Sequence, residues 1–255
     1  MHTSEPQADR DTWIRRFRHV PDADLRLVCF PHAGGSASFY FPVATALAEK
    51  GIEVLALQYP GRQDRRAERP ITDLGRLADA AADALSSWPM DRSAFFGHSM
   101  GAALAFETAR RMDRPPLGLV ASGRRAPSRR RIDTVHGRDD AGIVAEIRRL
   151  GGTETALLED EEMREAFLPA IRADYTAIET YSSDPGSTVP CPVTVFTGDS
   201  DPQVTLDEAR AWRNHTTGTF DLVVFQGGHF YLTTSPATVI DRLGRLLVHW
   251  DATAS

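Results

Sequence analysis

Cysteine is scarce. Cys29 and Cys191 are the two in a chain of 255 residues, and they stand at no spacing that ligates metal. Each falls in an apolar, strand-like stretch, so they read as buried thiols of a reducing compartment and not as a disulfide framework. Long hydrophobic runs are missing too: none approaches the length of a bilayer-spanning helix. The opening MHTSEPQADRDTWIRRF carries acids and no apolar core, so no signal peptide is expected and the cytoplasm is the expected location. Positive charge is not in excess. A net charge of −6 argues against nucleic-acid binding, which favours a basic domain. No G-x-G-x-x-G follows a strand-like run, and no His/Cys/Asp cluster has ligand spacing. Neither a cofactor nor a metal is therefore expected, and no repeat or low-complexity segment is found.

What is present is an ordinary soluble balance, 42 % hydrophobic and 25 % charged, long enough for one large α/β domain or two small ones. Residues 1–12 are polar and expected to be disordered. Trp13–Phe17 has the composition of an edge strand. Thereafter short apolar runs alternate with helical periodicity. Strands are predicted at Leu25–Phe30, Glu53–Tyr59, Ala94–Phe96 and Leu117–Ala121, with helices at about Phe39–Lys50, at Thr72–Trp88 and after Ser99. This β-α-β rhythm is that of a parallel sheet with crossover helices. From Ala126 to Pro190 no strand is predicted. Helices are expected at about Ala141–Leu150, stopped by Gly151-Gly152, and at about Glu161–Tyr181 with a kink at Pro169. The segment is a helical insertion, either a lid or a second, structural helical unit. The rhythm then resumes with a strand at Pro192–Thr197, a helix at Leu206–Asn214, a strand at Phe220–Phe225 and a closing helix at Pro236–Trp250. Residues 252–255 are expected to be a disordered tail.

The stretch around which the chain is organised is Gly97-His98-Ser99-Met100-Gly101, a G-x-S-x-G set between a strand and a helix. A chain that passes from strand to helix at one residue brings the flanking positions almost into contact, so they must be small. Ser99 then stands at the tip, at a helix N-terminus that favours negative charge. A serine hydroxyl needs a base, and the base an orienting acid. Both belong after strands, where parallel sheets gather their chemistry. Gly198-Asp199-Ser200-Asp201-Pro202 follows one late strand and Gln226-Gly227-Gly228-His229 the next. His229 is the base because it alone follows a late strand on a flexible Gly-Gly bend. A free imidazole titrates near pH ~6.5, which suits that task. Of the other histidines, His98 is expected behind the elbow and His32 in a glycine-rich loop. His2, His19, His136, His215 and His249 read as polar or surface residues. Between the two candidate acids Asp201 is favoured over Asp199, which reads as a turn residue. The order Ser99, Asp201, His229 is that of the α/β-hydrolases. An oxyanion hole needs two backbone donors. One is the N–H of Met100, and the other comes from the loop Pro31-His32-Ala33-Gly34-Gly35, with Ala33 chosen and Gly34 as the alternative. The same loop lacks the Lys-Ser/Thr of a phosphate-binding P-loop.

Several segments together are more specific than the elbow alone: FPHAGGSASFY (30–40), QYPGRQDR (58–65), FFGHSMGAALAFE (95–107), RRLGG…FLPAIRADYTAIETY (148–181), GDSDP (198–202) and GGHFYL (227–232). On these the sequence resembles the type II thioesterases, stand-alone α/β-hydrolases that accompany modular polyketide synthases and nonribosomal peptide synthetases. The resemblance implies an α/β-hydrolase core over residues 13–125 and 191–251, a mostly parallel sheet flanked by helices, and a helical lid over 126–190. It implies hydrolysis of acyl groups from the phosphopantetheine arm of acyl or peptidyl carrier proteins, clearing stalled or mis-primed chains; a monomer is expected. Ser99, Asp201 and His229 would be its triad, with Ala33 and Met100 as oxyanion donors. The motif itself specifies only acyl transfer to water, so an esterase or lactonase of free small molecules fits the same residues. A non-catalytic binding protein of this fold does not need them. Arg124–Arg131 packs five arginines into eight residues, either a docking patch for an acidic carrier or a solvated loop.

Overall fold

The computed structural model describes residues 12–151 and 159–254. The N-terminal stretch expected to be disordered lies outside them save for Thr12, as do Gly152 and Ser255. A seven-stranded sheet forms the centre, in the order β1-β3-β2-β4-β5-β6-β7. Its strands are β1 Ile14–Arg15, β2 Leu25–Phe30, β3 Ile52–Leu57, β4 Ser93–His98, β5 Leu119–Ser122, β6 Val193–Gly198 and β7 Phe220–Phe225. β1 pairs antiparallel with β3, and every other pairing is parallel. β3, β4, β5 and β6 are buried at every position. That is why they read as mainly apolar runs without polar alternation: a parallel sheet is covered on both faces.

The cover comes from the intervening helices. α1 (Phe41–Ala48) and, from the end of the chain, Pro236–Thr253 bury Ala44, Leu47, Leu243 and Leu247 against one face. α2 (Leu74–Leu85) and α3 (Met100–Ala109) bury Leu77, Ala81, Leu104 and Phe106 against the other. The Asp73 carboxylate caps α2 by accepting the N–H of Arg76. Between β5 and β6 lie α4 (Asp140–Leu150) and α5 (Glu161–Thr180), the second running unbroken through Pro169. They share a small core of their own, in which Val135, Ile143, Ile147, Leu168 and Ile171 meet. α6 (Leu206–Arg210), α7 (Tyr231–Thr234) and α8 (Pro236–Thr253) complete the chain. None of the helices among the described residues is long and apolar enough to cross a membrane.

Element boundaries differ from expectation in three instructive places. The Trp13–Phe17 strand contracts to the two residues of β1, with Ile14 facing Leu57. The helix expected over Leu206–Asn214 tightens to 3₁₀ geometry from Ala211 to His215. α8 continues to Thr253, so Ala252 and Thr253 belong to a helix and not to a tail. Trp250, 4 % exposed, anchors that last turn, its ring lying where a side chain on Gly118 would otherwise go. Both cysteines are buried, as their apolar settings indicated.

At the centre, β4 turns into α3 through Ser99, whose φ of 55° and ψ of −117° lie outside the regions an L-residue favours. A Cβ on Gly97 would fall 2.0 Å from the carbonyl oxygen of Gly101, and one on Gly101 2.0 Å from that of Phe30. Both obstacles are backbone, which has nowhere to move. Gly101→Ala is therefore expected to cost at least ~3 kcal/mol of stability, the upper range of core overpacking. Gly137→Ala, whose added methyl would meet nothing within 4 Å, serves as the control. Urea unfolding checks this, and equal midpoints for the two variants would mean the elbow is not tightly packed.

Candidate active site

The elbow presents Ser99 half-buried at the carboxyl edge of the sheet, its own N–H donating to the Ser122 carbonyl of β5 at 2.8 Å. Met100 is the first residue of α3, so its N–H has no acceptor within the helix. The hydroxyl of Ser99 makes no hydrogen bond among the described residues.

His229 follows β7 on a bend that Gly227 takes with φ of 128°. Its Nδ1 lies 3.0 and 2.9 Å from the two carboxylate oxygens of Asp201. The side chains are 2 % and 0 % exposed, so the pair is shielded from water. Oδ1 of Asp201 also accepts the N–H of Gln203 at 2.8 Å, which fixes the carboxylate in its turn. Asp199 takes a different part. It is exposed, accepts the N–H of Gly227 and the hydroxyl of Ser200, and has its carboxyl held below the usual range chiefly by that Gly227 N–H. It ties the β6 loop to the β7 loop and so sets the bend from which His229 projects. The His229 ring edge faces Gly123, where a Cβ would come within 3.3 Å of it.

Behind His229 is a layer of buried rings. His98 is fully buried with its ring 5.0 Å from that of His229 and 5.1 Å from that of Phe230. His98 Nδ1 is 2.9 Å from Ser122 Oγ, which lies 2.6 Å from Tyr231 Oη. Burial pushes the His98 imidazole well below its ordinary value, helped by the neighbouring His229 and His32. A neutral His98 leaves no second cation beside His229. His32 packs in the same layer, 4.8 Å from Phe39 and 4.9 Å from Phe230.

The loop after β2 lies across from these groups. The His32 carbonyl accepts the N–H of Gly35 at 2.9 Å, closing a tight turn in which Gly34 takes φ of 78°. The N–H of Gly34 donates to Asp174 of α5 at 2.8 Å. The N–H of Ala33 donates to no acceptor among the described residues. Of the two donors considered for this loop, Gly34 is thus engaged and Ala33 is open. No group of three or more His, Cys, Asp or Glu that could hold a metal occurs among the described residues.

Other residues are not where the sequence suggested. His215, read as a surface residue, is fully buried, with Nδ1 on the Ser187 carbonyl at 2.8 Å and Nε2 on Ser128 Oγ at 2.7 Å. Burial lowers its pKa, against the raising effect of that carbonyl. Its partners are far away in sequence, so nothing local marked it. The arginine run is neither a free patch nor a solvated loop throughout. Arg125 is buried and bonded to Asp133 at 2.5 Å, and Arg131 is held by both oxygens of Glu208 at 2.9 Å. Arg124, half-buried, is pushed down to about 9 by burial and by Arg125 beside it. Only Arg129 and Arg130 are exposed, Arg130 touching Ser182. Arg62 and Arg65 are both buried: Arg62 pairs with Asp174, while Arg65 bonds the Gln58 carbonyl and Glu68 and covers the Trp13 ring. The roles of Ser122, Tyr231 and Asp174 were not visible in the sequence.

A mostly parallel sheet with a serine at a strand–helix elbow, and an acid and a histidine on the loops after the last two strands, defines an α/β-hydrolase. Residues 25–247 match the thioesterase domain family, and the chain belongs to it. The chain is 56 % identical over 225 residues to a probable cadicidin biosynthesis thioesterase of Streptomyces griseus, a match spanning 87 % of this chain and 62 % of that relative. It is 48 % identical to thioesterase PikA5 of Streptomyces venezuelae, over 88 % of this chain and 81 % of that one. The solved type II thioesterase BorB of the borrelidin biosynthetic cluster superposes with a TM-score of 0.87 at 48 % identity, covering 93 % of this chain and 98 % of that one.

The buried imidazoles carry a pH consequence. His98 and His215 have folded-state pKa values below that of a free histidine, so the unfolded chain takes up protons first as pH falls. Their contribution to stability is present above pH ~6.5 and lost below it. The urea midpoint is expected to drop between pH 7.5 and 5.5, before the carboxylates titrate, and in NMR titration of the folded protein both rings are expected to titrate below pH ~6.5. A ring resonance that titrates near 6.5 in the folded protein would contradict the assignment.

Proposed function

We propose that the protein is a serine thioesterase that removes acyl groups from phosphopantetheinyl carrier proteins through an acyl-enzyme, editing stalled or mis-primed chains. The observation that carries this reading is the buried two-point contact of His229 Nδ1 with Asp201, beside an elbow serine and two open backbone N–H groups. Ser99 Oγ attacks the thioester carbonyl while His229 Nε2 takes its proton. Asp201 stabilises the imidazolium and holds the tautomer. The oxyanion forms between the N–H groups of Ala33 and Met100, donors already aimed and worth ~3 kcal/mol each. Collapse expels the phosphopantetheine thiol with the proton from His229, and water then repeats the sequence on the acyl-enzyme. The hydrogen bond from Ser99 to His229 forms with substrate present, as such contacts often tighten only in the complex.

The helical insertion fits the part of a lid: the side chain of Ile171 on α5 comes within 3.0 Å of a Cβ position at Gly34, above the oxyanion loop. The relatives named for biosynthetic clusters support a carrier-bound substrate. Arg129 and Arg130, exposed beside the fully projecting Ile132 at 96 %, are the part of the arginine run left to meet an acidic carrier.

Ser99→Ala is expected to abolish hydrolysis with the fold intact, and Asp201→Asn to lose ~10⁴ in kcat, against less than tenfold for Asp199→Asn. Steady-state kinetics on acyl-carrier thioester and on the matching oxygen ester check this. Activity retained in Ser99→Ala would end the mechanism, and faster turnover of free esters would favour an esterase. For docking, an Arg129→Ser/Arg130→Ser variant should raise KM for carrier-bound substrate several-fold at low salt and little at high salt. A free thioester should be unaffected; equal loss on both substrates would remove the docking role.

A further inference from the structure

The helical insertion reaches the loop after β2 through one buried ion pair. Arg62 and Asp174 are 4 % and 1 % exposed. Arg62 donates from Nη1 to Oδ2 and from Nη2 to Oδ1, each at 2.8 Å, a two-point contact that fixes orientation as well as distance. The same two groups also hold the loop itself. Oδ2 of Asp174 accepts the N–H of Gly34 at 2.8 Å, and Nη1 of Arg62 donates to the Gly35 carbonyl at 3.2 Å. Beneath Arg62 the Tyr59 ring lies 5.0 Å away, its hydroxyl donating to the Pro31 carbonyl at 3.1 Å.

This matters for aim. In a planar peptide the carbonyl and the N–H point in opposite directions. The His32 carbonyl is held by Gly35 N–H at 2.9 Å, which directs the Ala33 N–H to the other side of the turn. The next peptide plane is held by Asp174 through Gly34, and the loop beyond it by Arg62 through Gly35. Without the pair, the peptides on either side of Gly34 lose the two polar contacts, from Asp174 and from Arg62, that hold them from outside the turn. Gly34, at φ of 78°, offers no side-chain resistance.

We propose that Asp174 and Arg62 are positioning residues for the oxyanion loop, so that a carboxylate carried on the insertion sets the direction of the Ala33 N–H. The insertion is then part of the transition-state geometry and not only a cover. The inference rests on the reading of Ala33 and Met100 as oxyanion donors.

The test compares wild type with Asp174→Asn, Arg62→Lys and the doubly neutral Asp174→Asn/Arg62→Gln, which leaves no unpaired buried charge if a single variant folds poorly. The substrate is a short acyl-N-acetylcysteamine thioester, which needs no carrier contact. Active sites are counted with a fluorophosphonate, so that kcat refers to folded enzyme. Binding of a trifluoromethyl ketone analogue, which forms a tetrahedral oxyanion on serine, is measured beside KM. Loss of kcat by ten- to a hundredfold is expected, short of the ~10²–10³ for removing a donor outright. KM should stay within about twofold while the ketone weakens in step with kcat, and Arg62→Lys should retain more activity than Asp174→Asn. Lowered thermal stability with kcat per active site and ketone affinity unchanged would overturn the inference, leaving a purely structural ion pair. A wild type that the ketone fails to inhibit would instead overturn the serine and oxyanion reading itself.

Discussion

Two backbones meet at the elbow with no room for a side chain between them. Gly97 approaches the carbonyl of Gly101, and Gly101 approaches that of Phe30, so β4, α3 and β2 are locked at one point. The unusual φ of Ser99 costs ~1–3 kcal/mol by itself and persists because the sheet below and the helix above over-determine it. From that junction follow the exposed position of the hydroxyl and the open N–H of Met100. The Ser99 N–H bond to β5 sets the distance to Gly123, and Gly123 sets how close the His229 ring can come. The chemistry is thus arranged by backbone contact first and by side chains second.

The sheet was legible because its inner strands are covered on both faces and therefore mainly apolar, and the loops after them could be searched for an acid and a base. Phe220–Phe225 was read to the residue. Ends of elements were not legible where long-range contacts decide them. β1 is short because only Ile14 and Arg15 find partners on β3, and α8 is long because Trp250 packs over Gly118. The charged and polar residues show the same limit more sharply. Arg131 meets Glu208, Arg62 meets Asp174, and His215 meets Ser187 and Ser128. Those partners lie on different elements, and a run of like charges carries no mark of which members will be paired elsewhere. The candidate acids show what local chemistry can do: Asp199 sits in a turn that uses its carboxylate, which leaves Asp201 to the histidine.

The site divides its electrostatics between two environments. The Asp201–His229 pair is buried beside a neutral imidazole and aromatic rings, a low-dielectric setting in which one charge pair is strong and a second cation would be costly. Two of the five arginines in the arginine-rich segment, Arg125 and Arg131, are neutralised by internal carboxylates, so its net field is weaker than its composition suggests. What remains exposed at the surface is the pair Arg129 and Arg130, not a continuous patch.

The two cysteines have a bearing on the handling of sulfur. Cys29 is fully buried with its thiol raised well above the ordinary value by desolvation, and desolvation pushes Cys191 up to about 12. At neutral pH the folded chain therefore offers no thiolate of its own. A thiol released by thioester cleavage meets no endogenous thiolate with which to exchange an acyl group or form a mixed disulfide. Thiol-specific colour reagents are therefore expected to report only the released thiol during turnover, and their slow reaction with the enzyme becomes a clock for its unfolding.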